Sequence, residues 1–94
     1  MATLHLLSHS PFTDARFTSC LRLLGESDAL FLTGDAVYAL TPNTEWAQKL
    51  NGLKVFALEE DLTARGINQK IATVVDYAGF VECCTQFAKV NSWL

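Results

Sequence analysis

Ala29-Leu30-Phe31-Leu32 constrains the fold more than any other stretch of the chain. All four residues are apolar, with no polar side to turn to water. A strand of this kind suits the middle of a parallel sheet, where helices cover both faces. Two further apolar runs, Thr3–Leu7 and Lys54–Leu58, flank it along the chain, and Thr73-Val74-Val75 supplies a short fourth strand. Helix signals fall between these runs. Ser10-Pro11 is a good start for a helix running to about Leu24, with Ser as N-cap, Pro at the first helical position and Gly25 as stop. Phe17, Leu21 and Leu24 share one face at helical spacing. Ala36–Leu40 reads as a short helical turn or an edge strand. Thr44–Leu50 reads as a helix closed by Asn51-Gly52. A short helix from Glu59 through Arg65 carries three acidic residues at its positive end, and Gly66 ends it. Asp61 and Arg65, four apart, are placed to pair. Asp76 is a plausible N-cap for a last helix from Tyr77 to about Val90, and Asn91–Leu94 is a tail. Strands alternating with helices predict an α/β fold. It is a small three-layer domain whose mainly parallel sheet of four to five strands is flanked by helices.

Ninety-four residues make one domain, 1–94. A domain of this size buries only ~60–65% of the surface its unfolded chain exposes. Half the residues are apolar and 18% are charged, more apolar surface than so small an interior can hide. Part of it should form a partner interface, and Trp93, near the end of the chain, is expected at an interface or in a docked tail. The formal net charge is −3 and the seven basic residues are scattered. Direct binding to nucleic acid, which depends on neutralising phosphates, is therefore disfavoured. Met1–Ser8 lacks the features of a secretory signal, and no apolar stretch is long enough to span a bilayer. A cytoplasmic protein is expected.

Ligands of open α/β sheets bind beyond the carboxyl ends of the strands. That rule places Ser8–Phe12, Thr33–Asp35 and Glu59–Asp61 on one rim. No phosphate-binding glycine motif follows any strand, and neither a metal site nor a cofactor is implied. The three cysteines, Cys20, Cys83 and Cys84, do not form a disulfide framework. Cys20 falls beside Phe17 and Leu24 at the edge of the apolar stripe. Two readings stay open for it: a small core residue, or a persulfide carrier, which needs exposure and a stabilised thiolate. Cys84 lines up with Phe80 and Phe87 and reads as core, whereas Cys83 is more lateral. His5 reads as a hydrogen-bonded structural histidine. His9 is a rim residue suited to a base or an anion contact, and Asp35 reads as a helix cap or a site residue. A small ligand-binding module around His9 and Asp35 is a competing function.

Four segments together resemble the TusB/DsrH family. They are Leu4-His5-Leu6-Leu7-Ser8-His9-Ser10-Pro11-Phe12, Leu58-Glu59-Glu60-Asp61-Leu62-Thr63-Ala64-Arg65-Gly66, Val75-Asp76-Tyr77-Ala78-Gly79-Phe80-Val81 and the terminal Trp93-Leu94. The resemblance implies a DsrE/F/H-like fold. It also implies a heterohexamer with TusC/DsrF-like and TusD/DsrE-like sister subunits, acting indirectly with TusA-like and TusE/DsrC-like sulfur carriers. The implied function is a sulfur-relay subunit that helps pass persulfide sulfur towards 2-thiouridine at the tRNA wobble position. The main acceptor cysteine of such complexes lies on the TusD/DsrE-like subunit, which makes this chain an auxiliary part of a sulfurtransferase. The alternative is a DsrH-type subunit of a sulfur-oxidation complex. Ser19-Cys20-Leu21 falls where DsrH-type chains carry a cysteine, and Cys20 would then be the persulfide carrier.

Overall fold

A computed structural model describes residues 2–93. Met1 and Leu94, the latter part of the expected tail, lie outside the described residues. Five parallel strands form one sheet in the order β4-β3-β2-β1-β5. They are β1 (Thr3–Leu7), β2 (Ala29–Leu32), β3 (Val55–Leu58), β4 (Thr73–Val75) and β5 (Lys89–Trp93). Between them lie α1 (Arg16–Arg22), a 3-10 helix (Gly34–Leu40), α2 (Glu45–Leu50), α3 (Glu59–Ala64) and α4 (Tyr77–Thr85). The expected three-layer α/β architecture is present.

The strand order explains the layering. From β1 to β4 each connection steps the same way across the sheet, and right-handed crossovers then keep their helices on one face. The return from β4 to β5 runs the other way, so α4 packs on the opposite face. The first face carries Leu7, Leu30, Leu32, Val55 and Ala57 against Phe17 and Cys20 of α1, Val37 and Leu40 of the 3-10 helix, Leu50 of α2 and Leu62 of α3. The second carries Leu4, Ala29 and Phe31 against Cys83 of α4. All four residues of β2 are fully buried, as its apolar sequence requires.

Asp76 caps α4, as its sequence position suggests, by accepting from Gly79 N at 2.8 Å, and Thr44 caps α2 by accepting from Ala47 N at 3.2 Å. Ala36–Leu40 takes the helical alternative. Gly66, with φ +62°, ends α3 in the left-handed region that glycine adopts without strain.

Two boundaries differ from expectation. The first helix begins at Arg16, not Pro11. Ser10 closes a turn instead, with Oγ accepting from Phe12 N at 3.2 Å and its carbonyl from Thr13 N at 3.3 Å. Asp14 then takes both Arg16 N (2.8 Å) and the Arg16 guanidinium (2.6 Å), which sets the helix start five residues later. The last helix stops at Thr85, and Lys89–Trp93, expected as helix end and tail, is a full strand. It pairs with β1 from Thr3↔Lys89 to Leu7↔Trp93. Without it one side of β1 would be a bare row of backbone donors and acceptors. That demand comes from a partner more than eighty residues away, so local helix propensity gives no hint of it.

Candidate functional site

The carboxyl ends of β1, β2 and β3 meet as the rule for open sheets requires. Thr33, just past β2, returns to β1 by donating its N–H to the Leu7 carbonyl at 2.9 Å. Gly34 follows with φ +51°, and a Cβ there would sit 3.3 Å from the Ser8 carbonyl. Its glycine therefore answers both a backbone and a space requirement. Gly34 N donates to Asp61 Oδ2 of α3 at 2.8 Å. Asp61 also pairs with Arg65 at 3.4 Å, as its spacing suggests. Arg65 in turn reaches Asp35 Oδ1 with Nε at 3.1 Å and Nη2 at 2.9 Å, and its guanidinium carbon lies 5.7 Å from the centre of the Tyr38 ring. The hydrogen bonds to Asp35 come first among the causes that hold the Arg65 pKa above its ordinary value. Asp35 therefore ties two loops together and does not cap the 3-10 helix, whose N-cap Thr33 makes no side-chain capping bond. The Gly34–Asp61 and Arg65–Asp35 links span 27 and 30 residues. Their only sequence signal was the pairing of Asp61 with Arg65. His9 sits beside this rim with Nδ1 3.4 Å from Ser8 Oγ, and Phe12 next to it is exposed. The rim thus offers hydrogen-bonding and aromatic groups, Arg65 matches Asp35 and Asp61 while Glu59 and Glu60 are exposed, and it carries no thiol.

The cysteines lie elsewhere. Cys20 is fully buried between α1 and the sheet, not at an open stripe edge. The wheel position is correct, but α1 lies against both β1 and β5, which extends the covered surface past the edge of the stripe. Burial, followed by the nearby Asp28 carboxylate, pushes the Cys20 thiol up to about 12. Both effects oppose a thiolate. On the other face Cys83 is the buried thiol and Cys84 the partly exposed one, the reverse of the expectation. The axis of α4 is rotated so that Phe80 and Cys83 point at Phe31, with the Phe80 and Phe31 ring centres 4.7 Å apart. Burial also raises the Cys83 pKa, the neighbouring Cys84 adds to it, and Lys54 acts against it.

His5, as expected, is a bonded buried histidine. Its Nε2 lies 3.1 Å from Asp28 Oδ2, and its Nδ1 lies 3.0 Å from Trp93 Nε1. Asp28 accepts from Gly25 N and Thr3 N at 2.9 Å each. Those two backbone bonds, then His5, hold its carboxyl down to about 2. Trp93 is the docked end of β5, half-buried against the first face. An open cleft of ≈ 560 Å³ borders α2 and residues 68–71, lined in part by Asn43, Gln48, Asn51, Asn68 and Lys70. It contains no cysteine, histidine or acid, so it offers no thiol to accept sulfur. Among the described residues no cluster of three metal-ligating side chains occurs, and no helix is long and apolar enough to cross a membrane.

Comparison with known proteins adds to this picture. The crystal structure of the ychN protein from E. coli superimposes with a TM-score of 0.80 over 98% of both chains, at 16% identity, a likeness of fold. Protein TusB of Enterobacter sp. (strain 638) is 40% identical over 95 aligned positions, covering 96% of this chain and 99% of that protein. Protein TusB of Escherichia coli (strain K12) is 38% identical with the same coverage. The family model described as DsrH like protein matches residues 9–90. With four-segment resemblance, whole-length identity and fold in agreement, the chain belongs to the TusB/DsrH family.

Proposed function

We propose that this chain is an auxiliary subunit of a cytoplasmic sulfur-relay complex that serves 2-thiouridine formation at the tRNA wobble position. Its sisters are TusC/DsrF-like and TusD/DsrE-like chains, and the relay runs through TusA-like and TusE/DsrC-like carriers. Family membership supports the pathway. The observation that carries the auxiliary role is the withdrawal of Cys20 from solvent. Persulfide transfer begins when an acceptor thiolate attacks the outer sulfur of a donor persulfide. A new S–S bond forms, the donor's S–S bond breaks, and the donor leaves as a thiolate. A thiol held near 12 is ionised only to roughly one part in 10⁴ or less at neutral pH. Such a group is a poor acceptor, the rim has no thiol, and the partly exposed Cys84 lies on the second face, away from the rim. The acceptor thiol then belongs to a sister subunit, with this chain completing the assembly through the apolar surface that one helix leaves uncovered. Co-expression with the two sister chains should give a stable heterohexamer that takes up sulfur from a persulfide donor and supports thiolation of tRNA. A chain that stays monomeric beside both sisters would refute the assignment.

The second reading, a DsrH-type sulfur-oxidation subunit with Cys20 as persulfide carrier, is favoured by the presence of a thiol in the first helix. It requires α1 to lift from the sheet in the assembled complex. Mass spectrometry of the loaded heterohexamer decides between the two. A +32 Da adduct per sulfur atom on Cys20, and loss of onward transfer in Cys20→Ser, support the carrier. Unchanged loading and transfer in Cys20→Ser eliminate it.

A further inference from the structure

β5 is an edge strand, bonded to the sheet only through β1. Lys89, Val90, Asn91 and Ser92 are exposed, and Trp93 is the residue of the strand that turns inward. Its indole reaches His5 Nδ1 at 3.0 Å. An indole nitrogen can only donate, so Nδ1 must be bare. The other ring nitrogen, Nε2, lies 3.1 Å from Asp28 Oδ2. Asp28 already accepts two backbone N–H bonds, the arrangement of an ionised acceptor, so Nε2 carries the hydrogen. Two neighbours on opposite sides thus select one neutral tautomer of a side chain that is 5% exposed.

A proton added to this ring has one place to go, and that place is Nδ1. The imidazolium keeps its bond to Asp28, now charge-assisted. Towards Trp93 it presents N–H against N–H. We propose that His5 is a proton-operated latch for the C-terminal strand, whose neutral ring holds Trp93 and β5 against β1 and whose protonated ring releases them. From the turn before β2 the Asp28 carboxylate faces Nε2. From β5 the Trp93 indole faces Nδ1, Asn91 stands opposite His5 in register and is neutral, and Lys89 is exposed at the far end. From α1 the buried Cys20 is uncharged, Arg16 is held by Asp14, and Arg22 is exposed. From β2 the register partner is Leu30.

The test uses nitrogen-15-labelled full-length chain, titrated from about pH 8 to about pH 5, the interval in which histidines change charge. Histidine ring nitrogen shifts report the tautomer, and amide exchange, expressed as protection factors, reports the strands. The Nε2–H tautomer is expected at the alkaline end. As His5 protonates, protection of residues 90–93 should fall about 5- to 10-fold, the size of one lost hydrogen bond, while that of residues 30–32 stays constant. Trp93→Phe should remove the pH dependence of β5 and leave the sheet folded. Four results would overturn the proposal. They are an Nδ1–H tautomer, a His5 that does not protonate before the sheet unfolds, β5 protection that is flat or falls in step with β2, and a Trp93→Phe chain that keeps the full response.

Discussion

The two faces of the sheet are built from equally apolar strands and finished differently. Four helical elements cover the first face, and its central side chains Leu7, Leu30, Leu32, Phe17 and Leu40 have no exposed surface. One nine-residue helix covers the second. There Leu6, Phe56, Leu58, Phe80 and Phe87 remain partly open, and Tyr77, Val81 and Val90 are exposed. The cause is topological. Three crossovers run one way and one runs the other, so three connections crowd one side and a single helix is left for the opposite side. Apolar side chains are exposed on both sides, at Phe12, Leu23, Tyr38 and Leu53 as well as at Tyr77, Val81 and Val90. On the second face, however, the sheet residues Leu6, Phe56 and Leu58 themselves stay partly open under a single helix, and that makes it a natural surface for a partner.

This contrast can be tested by perturbing each side. The largest effect is expected from Phe17→Ala, which empties the closed face next to Trp46, whose ring centre is 5.0 Å away. A loss of ~3–5 kcal/mol in urea denaturation is the expected cost. Phe80→Ala on the open side should cost about half as much, because the side chain is partly solvated before it is removed. Equal losses at the two positions would erase the distinction between the faces.

Next in size is Asp28→Ala, which strips the closed face of the carboxylate that holds Thr3, Gly25 and His5. A loss of about 2–3 kcal/mol at neutral pH is expected. Its pH dependence has a definite sign. The carboxyl is lowered from 3.8 to about 2 by folding, so its contribution is present above the unfolded value and lost as pH falls through the folded one. The gap between wild type and variant in denaturant titrations should therefore be constant at neutral pH, shrink below about pH 4 and close near about pH 2. A gap that widens below about pH 4 would contradict the assigned bonds.

The smallest effect on stability, and the sharpest on function, is expected from Val81→Asp. An exposed side chain of the isolated chain should tolerate it within ~0.5 kcal/mol. Association with the sister subunits, measured by sedimentation of the co-expressed complex, should weaken. Unchanged assembly would place the interface elsewhere.

Particular residues show how far the sequence could be read. The uninterrupted apolarity of Ala29–Leu32 announced a central parallel strand, and Asp76 announced its cap through a bond three residues away. Asp61 and Arg65 revealed half of the rim through their spacing. The other half, Gly34 to Asp61 and Arg65 to Asp35, joins loops far apart in sequence and left no periodic trace. Cys20 shows the same limit. Its wheel angle was legible, but its burial depended on which elements were laid beside α1.

The sequence by itself determined the class of fold, the first four strands, most helix starts and the family, because local patterns of apolar residues and caps encode them within a few positions. Only the tertiary structure decided that Lys89–Trp93 is a strand, that Asp28, His5 and Trp93 form one chain of bonds, and that Cys20 is shut away. Each of these arises from groups brought together by backbone pairing across the sheet, and the free energy that selects them exists only once the sheet has formed.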